Sequence, residues 1–275
     1  MTLRITRVLA AIGVLSAATA IPHLAHAQQT PGVDSEHRLF LRFAEDAAIV
    51  PSYWLEGQAR LDLSLPAIAD ERGAGEADLL SVGPVFAFNV AEDFEFGSRI
   101  GLAFRDPDTG GSDTGLTDLD IWGKVAVVSD PVDIALGILV KLPTADESKL
   151  LGTGETDIEF FAGLRRNFTS FTVAGNLGIR LNQDPEFDED VVEVEGKESV
   201  LAGLAIIVPV GAKWALTGEW AFETERIEGF KNDSRLLGGV EYRWDESFAF
   251  RGSIAGGLAD GSPDWGATGS AVWLF

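Results

Sequence analysis

Long segments in which apolar and polar residues alternate dominate this sequence, and they limit the folds that the chain can adopt. In one of them Phe171, Val173 and Leu177 share one face, whereas Thr172 and Asn176 mark the other. A period of two residues is that of a β-strand, whose successive side chains point to opposite faces of the sheet. The alternation recurs from about residue 55 to the C-terminal end and predicts an all-β fold.

Twelve such segments are present, and we interpret each as a strand of ten to thirteen residues. Strands in soluble proteins usually have about 5–6 residues, whereas a tilted strand needs about 9–11 residues to cross a bilayer. The predicted lengths therefore favour strands that span a membrane. The predicted strands cover residues 55–65, 79–90, 94–105, 116–128, 133–142, 156–168, 170–182, 199–209, 213–225, 234–243, 247–258 and 264–275.

The connections between these strands alternate in length. The even-numbered strands are followed by turns of one to four residues. Outer-membrane barrels show this asymmetry, with short periplasmic turns, long external loops and an even strand count. We therefore predict a transmembrane antiparallel up-and-down β-barrel of about 12 strands with both termini in the periplasm. The long polar connections follow the odd-numbered strands, at residues 66–78, 106–115, 143–155, 183–198, 226–233 and 259–263.

The first 27 residues have the pattern of a secretory signal peptide. Arg4 and Arg7 form a basic start, and residues 8–20 are apolar and uncharged. Ala25 and Ala27 then form the small-x-small pattern that signal peptidase recognises. Cleavage is expected directly after Ala27. We therefore predict that residues 1–27 are removed on export and that the protein resides in the outer membrane of a Gram-negative cell.

An N-terminal segment, residues 28–54, precedes the predicted barrel of residues 55–275. It is too long to be a simple leader. Its residues Leu39, Phe40, Leu41 and Phe43 suit a segment that lines or plugs the lumen, and a position in the periplasm is the alternative. The sequence leaves both arrangements open.

The C-terminal strand ends on an aromatic residue. Trp265, Ala267, Ala271, Trp273 and Phe275 occupy alternate positions. Such a strand resembles the signal by which outer-membrane barrels are recognised, so we expect the barrel assembly machinery to bind the chain through Phe275. The alternative is the edge strand of a soluble sandwich, which does not explain the alternation of loop lengths.

Aromatic residues lie near the predicted periplasmic ends of the strands. Trp54, Trp214, Trp244 and Phe248 are among them. Rings with a polar edge suit the boundary between lipid and water, and we interpret these residues as an interfacial girdle. Outer-membrane lipid and lipopolysaccharide are then the expected surroundings of the barrel.

Placing the apolar phase of each strand against lipid turns twenty charged residues toward the lumen. The opposite phase is disfavoured, because a Lys or Arg on the lipid face costs about 2–4 kcal/mol at the bilayer midplane. The lumen then holds ten basic and ten acidic residues: Arg60, Arg99, Arg105, Lys124, Lys141, Arg165, Arg180, Arg235, Arg243 and Arg251, with Asp62, Glu95, Asp118, Asp120, Asp157, Glu159, Glu219, Glu223, Glu225 and Glu241.

Seven of these residues are candidates for a pore-lining constriction. Up-and-down order places five of them near the outer ends of three successive strands, with two arginines of other strands at a similar height. The alternative is a ladder of cross-strand ion pairs that stiffens the wall. The candidates are Asp118, Asp120, Lys141, Asp157, Glu159, Arg180 and Arg235.

The residue inventory argues against catalysis. The chain has no Cys and three His, of which only His37 follows the predicted cleavage site, and it lies before the first strand. A hydrolase that uses Ser-His or Asp-His chemistry needs its histidine within reach of the substrate. We therefore expect no enzyme, no catalytic residues and no cofactor.

The net charge of −22 argues against a nucleic-acid partner, since phosphate backbones are bound by clustered Lys and Arg. Much of this charge lies in the long loops, which predicts a negative outer mouth above a balanced lumen. The acidic loop 184–190 lacks the glycine and the final spacing of an EF-hand, so we assign no metal site there.

Four short segments resemble those of outer-membrane transporters associated with the meta-pathway of phenol degradation. They are Gly-Leu-Thr-Asp-Leu at 115–119, Lys-Leu-Pro-Thr-Ala-Asp at 141–146, Leu-Gly-Thr-Gly at 151–154 and Asn-Leu-Gly at 176–178. Ala145 stands where that family usually has glycine. The resemblance covers roughly the fourth to seventh strands, and it implies a β-barrel channel for small organic compounds, including aromatic or apolar ones.

Together these features predict a channel that passes small organic solutes by passive diffusion through a narrow, charged lumen. The alternative is a structural or adhesive barrel with a blocked lumen, whose acidic loops bind cations or lipopolysaccharide.

Overall fold

The computed structural model describes residues 39–40, 45–50, 52–66, 76–91, 93–108, 111–128, 131–185 and 195–274. The predicted signal peptide and Phe275 lie outside these residues. Apart from a short 3-10 turn at Glu147–Lys149, the assigned elements are strands. They are β1 (Tyr53–Pro66), β2 (Glu76–Ala91), β3 (Phe94–Arg99), β4 (Leu102–Pro107), β5 (Asp113–Leu116), β6 (Leu119–Val128), β7 (Asp133–Leu142), β8 (Asp157–Asn167), β9 (Thr172–Leu181), β10 (Ser199–Val210), β11 (Trp214–Glu223), β12 (Asp233–Arg243), β13 (Phe248–Gly257) and β14 (Trp265–Leu274).

These strands form one closed antiparallel barrel with 12 staves. β3 and β4 together make one stave, since both pair with β2, and β5 and β6 make the next. Each other stave is a single strand that pairs with its neighbours in sequence. β1 pairs with both β2 and β14, which closes the sheet and leaves no free edge. The predicted fold class and strand count are confirmed.

The two interrupted staves differ from the unbroken strands expected at 94–105 and 116–128. The interruptions meet at the same height, where the Gly101 amide donates to the Thr117 hydroxyl at 2.8 Å. The Thr117 amide donates in turn to the Gly101 carbonyl at 2.9 Å. A Cβ on Gly83 would collide with the Ile100 carbonyl, so the backbones approach closely here. A side-chain hydroxyl thus replaces a regular ladder bond.

Long connections lie at one end of the barrel and short turns at the other, as the sequence predicts. We call these the long-loop end and the short-turn end. The long-loop end includes residues 143–156 and 224–232, whereas residues 168–171 and 211–213 are two of the short turns. Both ends of the barrel sequence, at β1 and β14, lie at the short-turn end.

The outer face of the barrel is apolar. Leu177, Leu204 and Ile254 point outward with 60%, 60% and 65% of their surface exposed, although they lie in the middle of strands. Exposed apolar side chains at this density mark a surface that contacts lipid. Among the described residues, no helix is long and apolar enough to cross a membrane.

Aromatic rings surround the short-turn end, but one predicted member of the girdle is misplaced. Trp214 and Tyr242 pack with ring centroids 4.5 Å apart, and Trp244 contacts Tyr242 edge to face. Trp54 is instead only 1% exposed and faces the lumen, where its indole donates to Glu56 at 3.1 Å. Its ring is therefore part of the interior packing.

The lipid-facing assignment predicts the cost of a charge at mid-strand. Leu177→Arg should lower the free energy of unfolding in lipid vesicles by about 2–4 kcal/mol, because the guanidinium enters hydrocarbon. Leu258→Arg is the matched control, since Leu258 is equally exposed but lies just beyond the end of β13. Its cost should be about 0–1 kcal/mol. Equal costs at both positions, measured by denaturant unfolding, would contradict the assignment.

Candidate channel lumen

The inward positions of the strands carry charges that are almost completely buried. Glu56, Glu95, Lys124, Glu159 and Arg165 are each no more than 1% exposed. A buried charge without a partner is costly, so such side chains occur in pairs or networks. Each of these five has an oppositely charged or hydrogen-bonding partner inside the barrel.

Lys141 joins the two aspartates predicted to flank it. Its ammonium lies 2.6 Å from Asp157 and 3.5 Å from Asp118, on neighbouring staves, and it donates to the Thr153 hydroxyl at 2.6 Å. Arg226 reaches Asp157 from the far side, at 3.0 Å. A single lysine therefore connects two strands and a loop.

The other predicted constriction residues form adjoining pairs rather than one cluster. Arg180 lies between Glu159, at 2.5 Å, and Glu223, at 2.7 Å. Asp120 instead binds Arg99, at 2.5 Å.

Arg235 belongs to a separate group near the long-loop end. It lies 3.0 Å from Asp62 of β1 and 2.6 Å from Asp233, and Arg60 shares the Asp62 carboxylate. Most of these pairs join different strands, as a ladder of cross-strand ion pairs requires, whereas Asp233 and Arg235 lie on one strand, as do Arg60 and Asp62.

The loop 143–156 folds inward against β5 and β6. The Thr144 hydroxyl donates to the Thr117 carbonyl at 2.8 Å, and the Ala145 amide donates to the Asp118 carboxylate at 3.1 Å. A Cβ on Gly152 would come within 2.7 Å of both Ala145 and Asp118, which explains the need for glycine there. These residues belong to the segments that carry the family resemblance, and they hold the loop in place.

Within the same loop, Lys149 pairs with Asp146 at 2.8 Å. This contact and a hydrogen bond from Ser148 lower the pKa of the Asp146 carboxyl below its ordinary value. The pair is exposed to solvent, so it contributes little to stability.

A cavity of about 440 Å³ lies beneath the long loops. Its polar lining includes Arg60, Asp62, Asp157, Arg226 and Arg235. The inward loop contributes Leu151 and Thr153, and other apolar side chains complete the wall. The ion pairs just described therefore form part of its boundary.

Below this region the N-terminal segment occupies the lumen. The Lys124 ammonium donates to the carbonyls of Asp46 and Ala48, at 2.6 and 2.7 Å. The Asp46 carboxylate pairs with Arg165 at 3.2 Å, and both side chains are fully buried. The Val50 amide donates to Glu95 at 2.8 Å.

The segment begins its described contacts at Leu39 and Phe40. The Phe40 amide donates to Glu219 at 2.7 Å, and the Arg251 guanidinium lies 4.2 Å from the centre of the Phe40 ring. Leu39 packs in a buried apolar cluster with residues of β9, β10 and β11. The sequence left the position of this segment open, and residues 39–40 and 45–50 lie inside the barrel.

Glycines on the wall make room for the segment. A Cβ on Gly163 would meet the backbone of Glu45 and Ala47, and one on Gly239 would meet the Phe40 ring. Bulkier residues at these positions are therefore incompatible with the seated segment.

The interior residues that were missed from the sequence include Glu56, Asp46 and Arg226. Glu56 pairs with Arg251 at 3.1 Å, and it is in phase with Arg60 and Asp62 on β1, so the period-two pattern carried a signal for it. Asp46 lies in no strand, and Arg226 was placed in a loop. Periodicity carries no signal for these two. Within the residues that the structure describes, no group of three or more acidic or histidine side chains is arranged to hold a metal.

Comparison of the fold with known structures gives several matches that cover more than four fifths of the chain. An outer membrane channel from Pseudomonas putida F1 matches with a TM-score of 0.64 and 13% identity, covering 84% of this chain and 98% of that one. The shared fold is that of an outer-membrane β-barrel. This confirms, for the fold, the resemblance seen in the sequence. No family model and no curated protein sequence matches the chain.

Two further matches are proteins named for different solutes. The CymD monoaromatic hydrocarbon channel has a TM-score of 0.52 and 9% identity, with 83% of this chain and 90% of that chain covered. A KdgM porin in complex with disordered oligogalacturonate has a TM-score of 0.51 and 10% identity, with 81% and 99% covered. Sequence identities this low show a shared fold.

The close approach at Gly163 predicts how the N-terminal segment can be displaced. The chain has no Cys, so Ala47→Cys provides a single thiol, at a position only 3% exposed. Adding Gly163→Val should speed maleimide labelling of this thiol by about tenfold, because overpacking costs about 1–3 kcal/mol. Gly238→Val is the control, as a Cβ there meets nothing within 4 Å. Unchanged labelling in the Gly163 variant would contradict the described contacts.

Proposed function

We propose that this protein is a channel of the bacterial outer membrane that passes small organic solutes by passive diffusion. The observation that carries the proposal is a closed barrel with an apolar exterior and a charged, ion-paired interior that encloses a cavity. A purely structural barrel has no need of a lumen of this kind. The short-turn end then faces the periplasm and the long loops face the exterior.

The targeting features belong to the same proposal. A cleaved signal peptide at residues 1–27 delivers the chain, and the barrel assembly machinery binds it through the C-terminal strand and Phe275. The aromatic rings at the short-turn end contact the lipid interface, and lipopolysaccharide surrounds the opposite end.

The solute class follows from two lines of support. The segments at 115–119, 141–146, 151–154 and 176–178 resemble transporters associated with the meta-pathway of phenol degradation. One protein of similar fold is a channel for monoaromatic hydrocarbons. Membership of that family and aromatic or apolar solutes are accordingly part of the proposal. The protein acts without catalysis and without a cofactor.

Passage through the lumen requires the N-terminal segment to move. Its seated position depends on polar contacts with Lys124, Arg165, Glu95 and Glu219, all of which water could satisfy in a hydrated lumen. Release therefore replaces internal hydrogen bonds by hydration, which limits its free-energy cost. We assign residues 28–54 the role of a plug whose described parts in the lumen are residues 39–40 and 45–50.

A barrel that never opens is the second candidate, and the occupied lumen is the observation that favours it. In that case the protein is a structural or adhesive barrel with acidic, cation-binding loops. The two functions differ in whether the isolated protein conducts ions.

Deletion of residues 28–50 should raise the single-channel conductance in planar bilayers severalfold, because it removes residues 39–40 and 45–50 from the lumen. Removing the lumen contacts should leave the barrel itself intact, since every stave remains paired. Resistance to denaturation by detergent at room temperature is the control for folding. A folded barrel that conducts neither with nor without these residues would favour the structural alternative.

The seven constriction candidates are proposed to set ion selectivity, and Lys141 tests this role. Lys141→Glu should shift the reversal potential in a salt gradient toward cation selectivity, because it replaces the shared cation of Asp118 and Asp157 by a third carboxylate. Lys213→Glu makes the same charge change at a short turn, outside the lumen. Equal reversal potentials in both variants would show that the cluster stabilises the barrel wall without setting ion selectivity. Lys141→Gln repeats the test if the Glu variant fails to fold.

A further inference from the structure

The cavity under the long loops has the size and lining of a ligand site. Its volume of about 440 Å³ lies within the range of about 300–1,000 Å³ that is typical of small-molecule pockets. One part of its wall is apolar and another part is charged, which suits a ligand with two chemically different ends. The apolar part consists of Leu65, Leu79, Ala103, Leu151, Ile227 and Phe230.

The charged part of the cavity wall has N–H donors that no described residue accepts from. A guanidinium has five N–H donors. Arg60 binds Asp62 through Nε and Nη2, and no described residue accepts from its Nη1. Arg226 contacts Asp157 through Nη2 and both Asn182 and Glu223 through Nε, again with Nη1 left without a described partner. Their side chains are 31% and 41% exposed, so both reach the cavity.

The carboxylates of the same wall are already engaged by cations. Asp62 accepts from two arginines, and it is only 8% exposed. Asp157 accepts from Lys141 and Arg226, and it is 3% exposed. Glu223 pairs with Arg180 at 2.7 Å, and Asp233, which is 30% exposed, pairs with Arg235 at 2.6 Å. All four carboxylates of the wall are therefore paired with cations, and the donors that remain for a ligand belong mainly to guanidinium groups, which bind carboxylates with good geometry.

We propose that the cavity binds a small organic acid, whose carboxylate lies on Arg60 and Arg226 and whose apolar body packs against the wall around Leu79 and Phe230. The proposal rests on the proposed channel function and names the class of its solute. Lys231 and Arg235, which also line the cavity, are two further positive charges.

The acidic loops do not contradict an anionic ligand. Asp184, Glu195, Glu198 and Glu228 lie in the long loops and give this end a negative field. At physiological ionic strength such a field is screened within about 8 Å, whereas the arginines act at contact distance. The loops should therefore slow the entry of an organic acid at low salt without abolishing its binding.

Calorimetric titration of the detergent-purified, full-length protein with benzoate tests the proposal. Benzoate should bind more tightly than acetate, which lacks the apolar body, and more tightly than benzyl alcohol and benzylamine, which lack the carboxylate. Benzyl alcohol or benzylamine binding as tightly as benzoate would overturn the proposal.

The double variant Arg60→Gln/Arg226→Gln should weaken benzoate binding by about tenfold or more, because it removes charge-assisted hydrogen bonds. It leaves no carboxylate without a cation, since Asp62 keeps Arg235 and Asp157 keeps Lys141. Arg166→Gln/Lys213→Gln is the matched control, with the same loss of charge at the short-turn end. Equal affinities in the two double variants would overturn the assignment, and Arg226→Lys, which keeps the charge, should retain most of the binding.

Conductance of the same preparations separates this proposal from the channel function. Ion conduction without benzoate binding would support the channel function and refute the carboxylate site. Benzoate binding without ion conduction, even after residues 28–50 are deleted, would support the carboxylate site and refute the channel function.

Discussion

The pairing of charges inside the barrel is the interaction on which the rest of the structure depends. Twelve staves with an apolar outer face send their polar residues into a narrow lumen, where an unpaired charge is costly. Removing one partner of a buried pair typically costs about 3–5 kcal/mol. Strand register brings most partners together, as in Glu95 with Lys124 and Glu159 with Arg180 on neighbouring staves.

Some cations of the lumen are completed by the N-terminal segment. Lys124 binds carbonyl oxygens of residues 46 and 48, and Arg165 binds the Asp46 carboxylate. These contacts explain why the lumen holds both a charged wall and a chain that crosses it. They also connect stability with function, because the groups that hold the segment are the same groups that a hydrated, open lumen would expose to water.

Much of the fold could be predicted from the sequence, because in a barrel the period of two is imposed at every residue by lipid on one side and the lumen on the other. The strand at 133–142 was predicted with its observed bounds. The inward direction of Lys141, Asp157 and Arg180 followed from the same alternation. Where a local contact overrides the period, prediction failed, as at the breaks beside Gly101 and Thr117, and at Trp54, whose inward phase was overlooked in favour of its position near a strand end.

The parts of the candidate site that come from outside the strands were not predictable in this way. The inward loop 143–156 is held by single hydrogen bonds from Thr144 and Ala145. Asp46 is positioned by its ion pair with Arg165, a residue far from it in sequence. Such contacts join residues that are distant in sequence and have no period. The resemblance of short segments to a transporter family marked the loop without indicating its geometry.

The central claim is that the N-terminal segment sits in the lumen and closes it. Asp46 of the segment and Arg165 of the wall form a fully buried ion pair. The most direct measurement is the single-channel conductance of Arg165→Asp, which places two carboxylates opposite each other, compared with that of the charge swap Asp46→Arg/Arg165→Asp. The single variant is predicted to conduct more than the unaltered protein, because like charges repel the segment from its seat, and the swap is predicted to restore the low conductance. Equal conductances of the unaltered protein, the single variant and the swap, each with a folded barrel, would contradict the claim.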